Sequence, residues 1–112
     1  MINIVLKSGK NGELCSCRVA GHAGCAGKGE DVVCAAVSIL VRVAVLQLQE
    51  WALENEKLKV SLDYREEGVV DFSVLQHDRD LSGALIHLFS FLRLGFESIS
   101  CEYRNSLKLE MS

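Results

Sequence analysis

Residues 31–53, DVVCAAVSILVRVAVLQLQEWAL, decide what kind of fold this chain can adopt. Asp31 is a favourable N-cap residue, because its carboxylate can accept from the free N–H groups of a first helical turn. The reading is therefore a helix from about Val32 to Leu53. From Val32 to Leu48 only Ser38, Arg42 and Gln47 are polar. A helix that is apolar on nearly every side needs cover on nearly every side. In a small domain one sheet supplies only part of that. Either a second copy of the chain covers the rest, as in a C2 dimer, or a second helix does. The dimer is the expectation.

The flanking segments are strand-like. Upstream, Ile2, Ile4 and Leu6 alternate at period two, and Asn11-Gly12 is a strong hairpin signal. ELCSCRVA, residues 13–20, then returns, with Cys15, Cys17 and Val19 expected on one face. Downstream, Leu58, Val60, Leu62 and Tyr64 alternate with polar residues. REEG turns the chain, and Val70, Phe72 and Val74 point inward on the way back. This is a second hairpin with one dry face. Asp78 or Asp80 should cap a second helix. Its stripe is Leu81, Leu85, Leu88, Leu92, Phe96, Ile99 and Tyr103. Gly95 weakens that helix slightly. Asn105-Ser106 ends it, and LKLEM reads as a short last strand. The order ββα-ββα-β predicts an α+β domain over residues 1–112, with two long helices on a mixed or antiparallel sheet.

Composition narrows the function. The chain has 112 residues, 49% of them hydrophobic, and a net charge of −3, which fits one globular domain. The acidic balance argues against direct nucleic-acid contact, which needs a basic stripe. MINIVLKSG lacks the basic and apolar regions of a signal peptide. The apolar stretch Val32–Leu46, broken by Ser38 and Arg42, reads as too short for a bilayer span. The expectation is a cytoplasmic protein without membrane contact. The five cysteines, Cys15, Cys17, Cys25, Cys34 and Cys101, are then read as free thiols, metal ligands or a nucleophile. No proline is present, so glycine and polar clusters make every break.

The chemistry concentrates between the first hairpin and the first helix. Gly21, Gly24, Gly27 and Gly29 predict a mobile loop, and that loop carries His22 and Cys25. With Asp31 as cap, Cys34 is the third helical residue, near unsatisfied N–H groups and the positive end of the helix dipole. Such surroundings favour the thiolate. His22, at the end of the neighbouring strand, can serve as its base, and the helix-start N–H groups, that of Cys34 included, can hold an oxyanion. Other readings stand beside this one. Cys34 can be a small buried hydrophobe. Cys15, Cys17, His22, Cys25 and Cys34 together offer enough ligands for zinc, though at no standard spacing. The domain can also be a noncatalytic protein-binding module.

The run Gly21-His22-Ala23, Ala26, and Gly29-Glu30-Asp31-Val32-Val33-Cys34-Ala35-Ala36-Val37-Ser38 resembles the signature of the ribosomal-processing cysteine protease family, Prp. The similarity extends along the chain to Tyr103-Arg104 and the closing strand. The resemblance implies an α+β homodimer without cofactor or metal. It implies a cysteine endopeptidase that removes a short N-terminal extension from large-subunit ribosomal protein number twenty-seven. The nucleophile position falls on Cys34 and the base on His22. Asp31 and Ser38 also match family positions. Asp31 is read as a cap or as an orienter of His22. Ser38 is read as a helper in the site floor or as relief for a tight helix contact. Cys25 departs from the pattern, standing where a larger, often aromatic residue is expected, and Gly27 loosens the loop further. Nine residues from Cys34, Cys25 is a candidate disulfide partner under oxidation.

Overall fold

The fold, a computed structural model, is described for residues 1–21, 30–65 and 69–112. Strands β1 (Ile2–Ser8) and β2 (Leu14–Ala20) precede helix α1 (Glu30–Glu54). Strands β3 (Lys59–Arg65) and β4 (Val69–Gln76) follow, then a 3₁₀ turn at Arg79–Leu81, helix α2 (Ser82–Glu102) and strand β5 (Leu107–Met111). This is the expected ββα-ββα-β order, an α+β fold.

The five strands make one mixed sheet in the order β3-β4-β2-β1-β5. Both hairpins are antiparallel, and β2 joins them by pairing antiparallel with β4. β5 pairs parallel with β1, Ile2 opposite Leu107 and Leu6 opposite Met111. The first hairpin closes through Gly9 N–H to the Glu13 carbonyl at 2.8 Å and Gly12 N–H to the Gly9 carbonyl at 3.1 Å. Gly12 has φ +89°, a left-handed backbone that favours glycine and explains the Asn-Gly signal.

The core lies between the sheet and the two helices. Ile2, Ile4, Leu6, Cys17, Val19, Phe72 and Leu107 contribute the inner sheet face. Val33, Val37, Val41, Ala44, Val45 and Leu48 come from α1, and Leu85, Leu88, Leu92 and Phe96 from α2. Among the described residues no polar or charged side chain is buried, so the interior is held by apolar burial rather than by internal ion pairs.

Two local expectations are corrected. Cys15 does not share the inner face with Cys17 and Val19. It is the extra residue of a β-bulge, since Lys7 pairs with Ser16 but Ser8 pairs with Leu14. Leu14 is therefore buried and Cys15 is exposed. Neither Asp78 nor Asp80 caps α2. Asp78 precedes the 3₁₀ turn and makes no side-chain cap bond; its carbonyl accepts from Leu81 N–H at 3.0 Å. Trp51 stands at the far end of α1. It lines a groove of about 430 Å³ between α1 and α2, together with Leu40, Val43, His87 and Phe91.

The helices run antiparallel, because Gly95 lies against Leu40 while Trp51 shares its groove with Ala84 and His87. α2 thus supplies part of the cover that α1 needs. Val32, Ile39, Val43 and Leu46 remain more than half exposed. By length and composition, α1 and α2 could each cross a membrane, since α1 runs through Ser38 and Arg42 without interruption. In this fold both helices give their most regular apolar stripe to the core.

Candidate active site

The site is built where β2 ends and α1 begins. β2 closes at Ala20, and Gly21 turns the chain with φ +89°. A Cβ at Gly21 would stand 2.5 Å from the Met1 carbonyl oxygen. The position is thus reserved for glycine twice, by backbone conformation and by close approach to the neighbouring strand. The residue that follows is His22. It lies outside the described residues, as do Gly24, Cys25, Gly27 and Gly29.

α1 begins at Glu30, one residue ahead of Asp31. Asp31 therefore sits inside the first turn and is not the N-cap. Cys34 is the fifth helical residue, not the third. Its own N–H falls past the four free N–H groups of the helix start, so any oxyanion donors come from the turn ahead of it. Its Cβ tilts back toward the helix N-terminus, but the residue stands just past the first turn, where the pull of the positive helix end is already weakening.

Burial along the helix explains how Cys34 is held. Val33 and Val37 are 0% and 1% exposed and anchor the first turns to the sheet. Cys34, between them in sequence, is only half-buried and packs against the edge of the core. Ser38 lies one turn further on the same side and is exposed. The structure thus gives Cys34 a rigid backbone and a side chain at the boundary between core and solvent. Its sulfur is disulfide-bonded, which departs from the reading of a free thiol at this position and agrees with Cys34 as a residue open to oxidation. Cys15, Cys17 and Cys101 are free.

The other cysteines differ in kind. Burial, reinforced by the Asp71 carboxylate, pushes the Cys17 thiol from 9.0 up to about 12. Cys17 stays a neutral thiol over the whole physiological range and is a core residue. Cys15 is turned to solvent by the bulge and Cys101 is exposed near the end of α2. The zinc reading gains nothing here. Cys15 and Cys17 part at the bulge, and among the described residues no three His, Cys, Asp or Glu side chains gather to hold a metal. His77 and His87 stand apart from Cys34. His77 has its Nδ1 2.9 Å from the Asp78 carbonyl oxygen, and His87 lines the groove between the helices.

A half-buried cysteine near the start of a core helix, beyond a turn reserved for glycine, gives an α+β scaffold a place where a reactive thiol can be held. The chain belongs to the cysteine protease Prp family, whose model matches residues 1–108. It is a cysteine protease by that membership.

Solved structures agree in fold. The essential ribosomal processing protease Prp of Staphylococcus aureus, in complex with a substrate peptide, superimposes with a TM-score of 0.81 at 16% identity, covering 100% of both chains. The same enzyme with a covalently linked product peptide gives 0.74 at 17% identity, again over 100% of both chains. A Streptococcus mutans protein gives 0.78 at 25% identity, covering 99% of this chain and 93% of the other. A search of the curated proteins finds no match to this chain.

Proposed function

We propose that this chain is an endopeptidase in which Cys34 is the nucleophile and His22 its general base. Its substrate, on this reading, is the short N-terminal extension of large-subunit ribosomal protein number twenty-seven. The observation that carries the reading is the half-buried Cys34 near the start of α1, in a chain whose family is one of cysteine proteases. The Staphylococcus aureus relative, described as a ribosomal processing protease and solved with substrate and covalently linked product peptides, supports both the peptide substrate and a covalent route.

In the proposed reaction, Cys34 reacts in its reduced form. His22 takes the thiol proton, and the positive end of α1 favours the thiolate. The sulfur attacks the scissile carbonyl, while N–H groups of the first turn, ahead of Cys34, hold the oxyanion. His22 then returns the proton to the leaving amine. Water hydrolyses the thioester, restoring the thiol. Asp31 acts from the first turn, as a carboxylate near the helix start that can orient His22. Ser38 flanks the nucleophile one turn along. The enzyme works without cofactor or metal, in the cytoplasm where ribosomal proteins mature. It acts as a homodimer joined through α1, with no nucleic-acid or membrane contact of its own.

A peptide spanning the extension and the mature start of the ribosomal protein provides the test. Cys34→Ala and His22→Ala should each lower kcat/KM by several orders of magnitude, and Cys34→Ser should abolish cleavage while retaining peptide binding. Undiminished cleavage by Cys34→Ala would refute the assignment. A noncatalytic binding module would show no turnover in the parent protein and no loss of binding in the variants.

A further inference from the structure

Among the described cysteines, the one of catalytic type is also the one whose sulfur is already engaged. Cys34 is disulfide-bonded, whereas Cys15, Cys17 and Cys101 are free. Cys25 completes the set of five. It lies outside the described residues, so the case for it rests on chemistry and chain reach. We propose that Cys25 is a resolving thiol that forms a reversible disulfide with Cys34, switching off thiol chemistry at this site under oxidation. The proposal rests on the reading of Cys34 as the nucleophile.

Reach permits the bond. From Cys34 back to Glu30 the helix rises about 6 Å. The five residues from Glu30 back to Cys25 can span up to about 17 Å, ample for the chain to return and bring two Cα atoms to the roughly 4.4–6.8 Å of a disulfide. The alternatives are poorer. Cys17 is 0% exposed in the inner sheet face, and its thiol stays protonated up to about pH 12. Cys101 lies on a different helix, and Cys15 projects at the bulge of β2, both with free thiols.

The chemistry balances with a hydroperoxide as oxidant. The Cys34 thiolate attacks one peroxide oxygen, the O–O bond breaks, and with one proton taken up the products are the Cys34 sulfenic acid and water. The Cys25 thiol then attacks the Cys34 sulfur, forming the S–S bond and releasing a second water. Two thiols lose two electrons and the peroxide gains them. A dithiol reverses the change by exchange through a mixed disulfide, restoring both thiols. Without Cys25 the sulfenic acid loses its resolving thiol and a second peroxide takes it to the sulfinic acid, which a dithiol does not reduce.

The test uses the full chain, first reduced and then exposed to a small excess of hydrogen peroxide. Trypsin cuts after Arg18, Lys28 and Arg42. A Cys25–Cys34 bond therefore links peptide 19–28 to peptide 29–42, and dithiothreitol should separate them. Iodoacetamide labelling of Cys34 should fall at least tenfold on oxidation and recover fully on reduction. In Cys25→Ser the loss should become permanent, with the mass of a sulfinic acid on peptide 29–42. Linkage of Cys34 to Cys15 or Cys101, or full dithiol recovery in Cys25→Ser, would overturn the proposal. The map and the labelling need no substrate. A linked pair in a protein that cleaves nothing would refute the protease reading alone, and cleavage with no linked pair would refute the switch alone.

Discussion

At the scale of single residues, position on the scaffold separates cysteines that the composition makes look alike. Cys17 is a core residue whose proton is held by burial and by Asp71, while Cys34 sits at the core boundary near a helix start. The sign of the pH effect follows from the shift. The folded-state value, about 12, lies above the unfolded value of 9.0. The folded protein therefore binds more protons between the two, and stability falls as pH rises through that window. The contribution is fully present below pH 9 and is lost progressively toward pH 12, with an upper bound of about 4 kcal/mol. Urea titrations between pH 8 and 11 should show a falling midpoint in the parent and a flatter one in Cys17→Ala. Parallel curves would mean that Cys17 does not govern alkaline stability. Gly21 provides a second residue-level prediction. Gly21→Ala must place a side chain at φ +89° and 2.5 Å from the Met1 carbonyl. The left-handed backbone alone costs about 1–2 kcal/mol, and the contact forces β1 and β2 apart at the end that leads into His22. A urea midpoint unchanged from the parent would contradict this.

At the scale of elements, Gly95 shows how a propensity argument can miss its subject. Read alone, it is a weak residue in a helix. In the fold, a Cβ there would meet Leu40 Cδ1 at 2.9 Å, so the glycine lets α1 and α2 approach. The methyl of Gly95→Ala meets only the far end of a flexible side chain, and a gain in helix propensity of about 1 kcal/mol offsets that contact, so its denaturation midpoint should change little. Gly95→Leu should overpack the same contact and lose about 1–3 kcal/mol, and equal midpoints for the two variants would refute the close approach. The same contrast shows what was legible beforehand. Alternation at Ile2, Ile4 and Leu6, the Asn11-Gly12 turn, and the stripe of Leu85, Leu88, Leu92 and Phe96 are local patterns, and each gave its element. The bulge at Cys15 was hidden, because alternation continues through Cys15, Cys17 and Val19 while the register is set by the partner strand. The parallel pairing of β5 with β1 was equally hidden, since it joins opposite ends of the chain. The helix starts two residues ahead of the expected Val32, because a good capping residue such as Asp31 is also common inside a first turn. Cys34 was legible as the site's centre. That its sulfur is disulfide-bonded was not, because a bond between cysteines depends on which of them the fold brings together.

At the scale of the whole molecule, the open question is what covers the outer side of α1. The helix carries two apolar stripes. One, through Val33, Val37, Val41, Ala44 and Leu48, is the core. The other runs through Val32, Ile39, Val43 and Leu46, at steps of seven, four and three, with every member between 52% and 55% exposed. Isolated exposed apolar residues are ordinary, but four in register along one helix face form a seam suited to a second helix. The seam begins at Val32, two residues from Cys34, so the proposed dimer would bring its partner close to the nucleophile. An aspartate at Val43 or Leu46 would place an unpartnered charge in that seam, and the desolvation cost acts in both copies at once. Sedimentation equilibrium should find the parent dimeric at micromolar concentration. The double variant Val43→Asp, Leu46→Asp should be monomeric, with its dissociation constant raised at least a hundredfold, about 3 kcal/mol. Because both positions are exposed in the single chain, each protomer should keep its far-ultraviolet circular dichroism, which separates dissociation from unfolding. Lys108→Glu, on the exposed part of β5, should leave the dimer intact. A monomeric parent, or a double variant that associates as tightly as the parent, would leave the outer stripe of α1 without this partner.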